Sequence, residues 1–329
     1  MKGFFRALIF LILPVLFCGC FGSAKKGKAV RLGFFPNITH AQGVIAYELS
    51  MQGKGWFESR LGDGTRIEWQ IFNAGPSAMT SIFAGALDLT YVGPNPAINS
   101  YIKSGGSDIR VLAGAADGGS GLVVAPSIKY SSPKDLKGKV IASPQYANTQ
   151  DVACRTWVLD SGMTVNNGAG GDIKVLPVPN ADQLSLFKKG EIDAAWTVEP
   201  WLSILETRGG GNLAIFEPDA VTTILVSGNK FLRGNPELAE KIRAAHVELT
   251  EWINKNPEQA KALVLKGLAR IRKSEFSGEL ANKAFPRIKF TSQINREGIL
   301  KFVDNAEKCG FIKNKVDMEG FFSAAKESK

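Results

Sequence analysis

Leu89-Thr90-Tyr91-Val92-Gly93-Pro94-Asn95-Pro96-Ala97 is an apolar, β-prone run that stops at a Gly-Pro-Asn-Pro loop and passes into a stretch of helical period ending near Lys103. The same design recurs at Pro36-Asn37-Ile38-Thr39-His40 and at Asn73-Ala74-Gly75-Pro76-Ser77. In each, a strand ends, a short loop turns and a helix begins. A helix amino terminus leaves backbone N–H groups unpaired and carries a partial positive charge, and glycine lets a ligand approach the main chain. Three such termini at strand ends make an anion-ready cleft, placed where open α/β sheets bind ligands. Taken singly, each loop is equally well an ordinary helix cap.

Working outward, strands are expected at Arg31 to Phe34, Ile67 to Phe72, Leu89 to Val92, Val111 to Ala115, Leu122 to Val124, Val140 to Ala142, Ile173 to Val178, Ala194 to Thr197 and Thr222 to Ser227. Helical periods fall between them, at Gln42 to Met51, Ser77 to Phe83, Gln150 to Asp160, Gln183 to Phe187 and Leu202 to Thr207. The alternation means an α/β fold. Pro133 to Ala142, a short helix ended by Gly138 and followed at once by a strand, marks a new beginning in the chain. After Ser227 the chain turns helical, with Pro236 and Pro257 opening helices behind Asn235 and Asn256 as candidate caps.

The second half offers a counterpart to the first three loops. Pro144 to Asp151 follows a strand and opens a helix, so Asn148 or Thr149 is placed to cap the helix and donate to a ligand. Ala194 to Trp201 sets Glu199 and Trp201 at a strand end. Glu199 is open to two readings, acceptor for a ligand amine or partner of a lysine. Phosphate-loop, nucleophile-elbow, zinc-protease and dinucleotide motifs are absent from the sequence. Of the two histidines, His246 sits at helical spacing with Ile242, Leu249 and Ile253 and reads as packing, while His40 follows the first strand and is open to two readings, a cleft residue or a plain helix-start residue. No enzyme, metal or cofactor is expected.

The chain has 329 residues, enough for two packed lobes. Its formal charge of +9 arises from 40 basic residues scattered among 31 acidic ones, with no basic block or recognition motif for nucleic acid. Lys2 and Arg6 precede an apolar run, Ala7 to Phe17, roughly half the ~20 residues a spanning helix needs, which reads as an export signal. Phe17-Cys18-Gly19-Cys20 is similar to the lipobox of bacterial lipoproteins, with Phe17 where Leu is usual. That likeness implies a signal peptide over 1–19, lipid on Cys20, and a tether over 20–29. Cys154 and Cys309 would then remain, without a CxxC, as free buried thiols.

The loop segments together resemble the nitrate, sulfonate and taurine family of periplasmic binding proteins. The likeness rests on Arg31 to Ala41, Ala74 to Ser77, Ala84 to Ala97, and Gly190 to Trp201. It implies the two-lobed type II binding-protein fold, a Venus flytrap with a two-stranded hinge and carboxy-terminal helices returning to lobe one. Lobe one would be 30–122 plus 225–329, lobe two 123–224, with crossings near Leu122 to Ala125 and Thr222 to Ser227. Thr39, His40, Gly75, Ser77, Gly93 and Asn95 would face the cleft from lobe one, and Asn148, Thr149, Glu199 and Trp201 from lobe two. The function implied is capture of a small oxyanion for an ABC importer, an aliphatic sulfonate or taurine, by an exported, lipid-anchored monomer that meets the permease and, through it, the ATPase. Nitrate, bicarbonate, a thiamine pyrimidine precursor and a sensor role are the rivals.

Overall fold

The computed structural model describes residues 27–323 except 63, 167–169, 274 and 315; the export signal, Cys20 and most of the tether lie outside the described residues. In chain order the strands are β1 (Ala29–Phe34), β2 (Arg66–Ile71), β3 (Leu89–Val92), β4 (Ile109–Gly118), β5 (Ser120–Val124), β6 (Val140–Ser143), β7 (Val165–Asn166), β8 (Ile173–Pro177), β9 (Ala194–Val198), β10 (Asn212–Glu217), β11 (Val221–Gly228) and β12 (Ile288–Phe290). They form two six-stranded sheets, ordered β12-β4-β11-β3-β1-β2 and β10-β5-β9-β6-β8-β7. β3 and β11 are buried along their whole length, which is why their sequences show no polar alternation.

Within each sheet the strands joined by helices pair in parallel, β1 with β2 and β3, β6 with β8 and β9. The exceptions come from the two places where the chain passes between sheets. β4 hands over to β5 through Gly118 and Gly119, at φ 76° and 66°, a left-handed pair that only glycine adopts without strain. β10 returns to β11 through Pro218 to Ala220. Both crossings sit a few residues before the positions expected from sequence. The β-branched runs taken for crossings are the interiors of β5 and β11, whereas the turn itself needs residues that leave the pleat.

Three strands were not anticipated. β10 follows Gly209-Gly210-Gly211, and its sequence Asn-Leu-Ala-Ile-Phe-Glu carries little β-branching; antiparallel pairing with β5 makes it a strand. β7 and β12 are two and three residues long, below what a periodic pattern reveals. Asn235 and Asn256 also depart from expectation. Neither caps the helix ahead of it; each side chain turns back and donates to a carbonyl of the preceding helix, Phe231 O and Trp252 O.

Helices Ala41–Met51, Pro236–Lys255 and Pro257–Arg272 bury one face of the first sheet, and Gly75–Phe83, Pro94–Lys103 and Arg296–Lys308 the other. The carboxy-terminal helices therefore cover the sheet that the amino terminus begins. One polar chain runs through this core. His246 Nε2 lies 2.7 Å from Gly114 O, and a carbonyl can only accept, so Nε2 bears the proton. His246 Nδ1 then accepts from the Tyr91 hydroxyl at 2.9 Å. Burial lowers the imidazole to about 4, which keeps it neutral. We expect Tyr91→Phe to leave Nδ1 buried without a donor and to cost about 1–3 kcal/mol, read as a lower urea midpoint with an unchanged slope.

Candidate functional site

β1 lies between β2 and β3, and β6 between β8 and β9, so each sheet has a point where successive connections leave to opposite sides. Such switch points open a crevice at the carboxyl ends of the strands. The double crossing sets the two crevices face to face. Between them lies a narrow cleft, partly open to solvent, with about 20 Å³ of free volume. Its lobe-one wall is Phe35, Asn37, Thr39 and His40 after β1, Asn73, Ala74 and Gly75 after β2, and Gly93 and Pro96 after β3. Facing them are Pro144, Asn148, Thr149 and Gln150 after β6, Asn180 after β8 and Val198 at the end of β9, with Thr222 of β11 beside the crossing.

The lining contains no Lys, Arg, Asp or Glu among the described residues. Its polar character comes from amides, hydroxyls, one imidazole and the amino termini of helices Gly75–Phe83, Pro94–Lys103, Thr149–Asp160 and Asn180–Lys189. His40 stacks on Phe35 with ring centres 4.4 Å apart, and its Nδ1 accepts from Phe35 N at 3.3 Å. The proton of the neutral ring is thereby on Nε2. Burial pushes this imidazole down to about 3, so His40 serves as a neutral donor across the ordinary pH range. Asn148 caps its helix by accepting from Asp151 N at 2.8 Å, which fixes the side chain at the cleft wall.

The lobes touch across this space. Ile38 N donates to Glu199 O at 3.1 Å, and Trp201 Nε1 donates to Asn37 Oδ1 at 2.8 Å. A Cβ on residue 93 would fall 2.2 Å from Thr149 Oγ1, so glycine there is what lets the lobe-two helix reach lobe one.

Of the residues singled out from sequence, Thr39, His40, Gly75, Gly93, Asn148 and Thr149 line the cleft. Four others are placed elsewhere. Ser77 is exposed and donates to Ala74 O at 2.8 Å, closing its own helix turn. Asn95 is fully buried and directs Nδ2 towards Phe302 O at 3.4 Å. Trp201 spends its N–H on Asn37 and stacks under Arg272, whose guanidinium carbon is 4.5 Å from the ring centre. Glu199 neither faces the cleft nor meets a lysine. Its carboxylate accepts from Arg287 Nη1 at 3.0 Å and from Ser203 Oγ at 2.9 Å. Burial pushes the carboxyl up, opposed by Arg287 and Ser203. Cys154 and Cys309 are unpaired, the first buried and the second half-buried.

Sequence reasoning passed over Asn180 and Thr222. Asn180 had a readable signal, since Pro179-Asn180 opens a helix after β8 in the manner of the other loops. Thr222 had none, because its position depends on where the second crossing returns.

Residues 23–266 match the NMT1-like family. The chain belongs to this family. A provisionally named aliphatic sulfonates-binding protein of Bacillus subtilis (strain 168) is 28% identical over 213 residues, 64% of this chain and 59% of that relative. The alkanesulfonate-binding protein SsuA of Xanthomonas axonopodis pv. citri, solved bound to MOPS, superposes with TM-score 0.69 at 18% identity, covering 89% of this chain and 97% of its own. The periplasmic nitrate-binding protein NrtA of Synechocystis PCC 6803 gives 0.70 at 16% identity, covering 91% and 86%. At such identity the likeness is one of fold. The NMT1-like chain has the two-lobed architecture of periplasmic binding proteins.

In this NMT1-like chain, Arg287 precedes β12 of the first sheet and reaches both Glu199 and Glu206 of lobe two, Glu206 at 2.6 Å. Arg287→Met strands a buried carboxylate, and we expect it to cost about 3–5 kcal/mol in urea unfolding. The double variant with Glu199→Gln should recover part of that loss, as a double-mutant cycle will read.

Proposed function

We propose that the chain is the solute-binding component of an ABC importer and that its cleft takes an aliphatic sulfonate. The observation that carries the reading is a polar cleft with no charged side chain among the described residues, set at converging helix amino termini. A sulfonate spreads one charge over three weakly basic oxygens and needs several donors more than it needs a counter-ion. Helix termini, amide and hydroxyl groups and the Nε2–H of His40 supply them. With Glu199 committed to Arg287, the lining presents no carboxylate to an amine. This favours a plain alkanesulfonate over taurine. The same donors suit nitrate, which is therefore the second reading.

The lobes of this proposal follow the two sheets, and the crossings at Gly118–Ser120 and Pro218–Ala220 are the strands that flex. Capture shifts the protein towards the closed form, which the permease reads. Export and lipid attachment at Cys20 complete the picture, and Cys20→Ser should move the protein from the membrane to the soluble fraction on cell fractionation.

The binding test uses residues 21–329 purified without the lipid cysteine, with alkanesulfonates, taurine, nitrate, bicarbonate and a thiamine pyrimidine in thermal melts. A ligand at one hundred times its Kd adds about 2.7 kcal/mol, enough to raise Tm by several degrees. Stabilisation by alkanesulfonates, lost about tenfold in Kd with Thr149→Val, is the expected result. Because His40 stays neutral, the calorimetric Kd should be flat between pH 8 and 5. Stabilisation by nitrate or pyrimidine alone would overturn the sulfonate reading.

A further inference from the structure

A second cavity, separate from the cleft, lies where helix Thr149–Asp160, helix Arg296–Lys308 and the second crossing meet. Its free volume is about 420 Å³, partly open to solvent, within the range of small-molecule sites. One wall is aromatic: Trp157, Trp196 and Phe302, with the two indoles 5.7 Å apart and inclined at 53°. Beside it stands Glu217. Its Oε2 accepts from Ser120 Oγ at 2.8 Å and from Trp196 Nε1 at 3.2 Å, while Oε1 has no hydrogen-bond donor among the described residues.

The charges on this lining do not cancel. Asp160 is paired with Lys308 outside the cavity, Asp219 stands at the rim, and Lys301 is an exposed cation opposite Glu217. Two carboxylates against one ammonium leave the space negative, unlike the uncharged cleft. A carboxylate with one oxygen unused, beside indole and phenyl faces, is the combination that recognises an organic cation through a charge-assisted hydrogen bond and cation–π contact.

We propose that this cavity is a second ligand site, for a primary ammonium on a compact apolar body, the ammonium at Glu217 and the body against Trp157 and Phe302. Helices from both lobes line it, so its occupant bridges the lobes without touching the anion cleft. The inference does not rest on the sulfonate reading.

The probe is 2-phenylethylammonium, with 3-phenyl-1-propanol as its neutral counterpart, titrated into the purified mature chain by tryptophan fluorescence and calorimetry. Saturable binding by the ammonium, about tenfold weaker for the alcohol, is expected. Glu217→Gln should weaken the ammonium about tenfold, with circular dichroism reporting on its fold. Lys301→Glu, at an exposed position that leaves the Glu217 network intact, should tighten it severalfold, and Thr149→Val should leave it unchanged. No saturable binding, equal binding by the alcohol, or indifference to both the Glu217 and the Lys301 substitution would overturn the site.

Discussion

The cleft depends on the chain crossing twice between its sheets. A single crossing would leave the lobes free to rotate about one strand, whereas two crossings side by side restrict the motion to a bend. The pair also fixes which edges meet. Because β4 and β11 lie next to each other in one sheet, and β5 and β10 in the other, the carboxyl ends of β1 and β3 are brought opposite those of β6 and β9. Helix termini that would be four separate caps become one donor-lined space. Gly118 and Gly119 are small in sequence terms, yet their left-handed conformation directs β5 out of the first sheet.

The ion-pair cluster beside the first crossing belongs to this constraint. Glu199 N donates to Gly119 O at 2.8 Å, so the Glu199–Arg287 pair sits next to the pivot. Atoms near a pivot travel least when lobes separate. A buried ion pair there can persist in both open and closed forms, and it holds the crossing without opposing the motion. Exposed contacts between the lobes behave differently. The Asp160–Lys308 pair is about half exposed at both partners, cheap to break in water. On the proposed function, a buried ion pair near the bend and exposed ones elsewhere would leave closure easily biased by a ligand.

The sequence made the fold legible wherever a strand ran straight into a glycine- or proline-marked helix start, because both signals are local. β3 matches its expected bounds at both ends for that reason. Local signals also placed the cleft's loops, among them Thr39, His40 and Asn148. They failed where an outcome is settled by a distant partner. Glu199 was undecidable between a ligand and a cation because Arg287 is 88 residues away, and nothing in either segment refers to the other. Trp201 and Asn95 were taken for site residues since they sit in the right loops, but their side chains are claimed by Asn37 and drawn to Phe302. β10 shows the same limit, its identity as a strand conferred by β5.

A chain of formal charge +9 whose cleft is lined by no lysine or arginine among the described residues separates two tasks that one cation could have performed together. Scattered surface charge attracts an anion over a range set by the Debye length, about 8–10 Å at physiological salt. Inside the cleft, a fixed guanidinium would bind tightly but would also release slowly, since a buried charge pair is costly to break. Neutral donors on rigid helix ends give each oxygen a partner without that penalty. On the proposed function, holding an anion by oriented dipoles instead of a full charge would suit a carrier whose ligand has to leave when the lobes part.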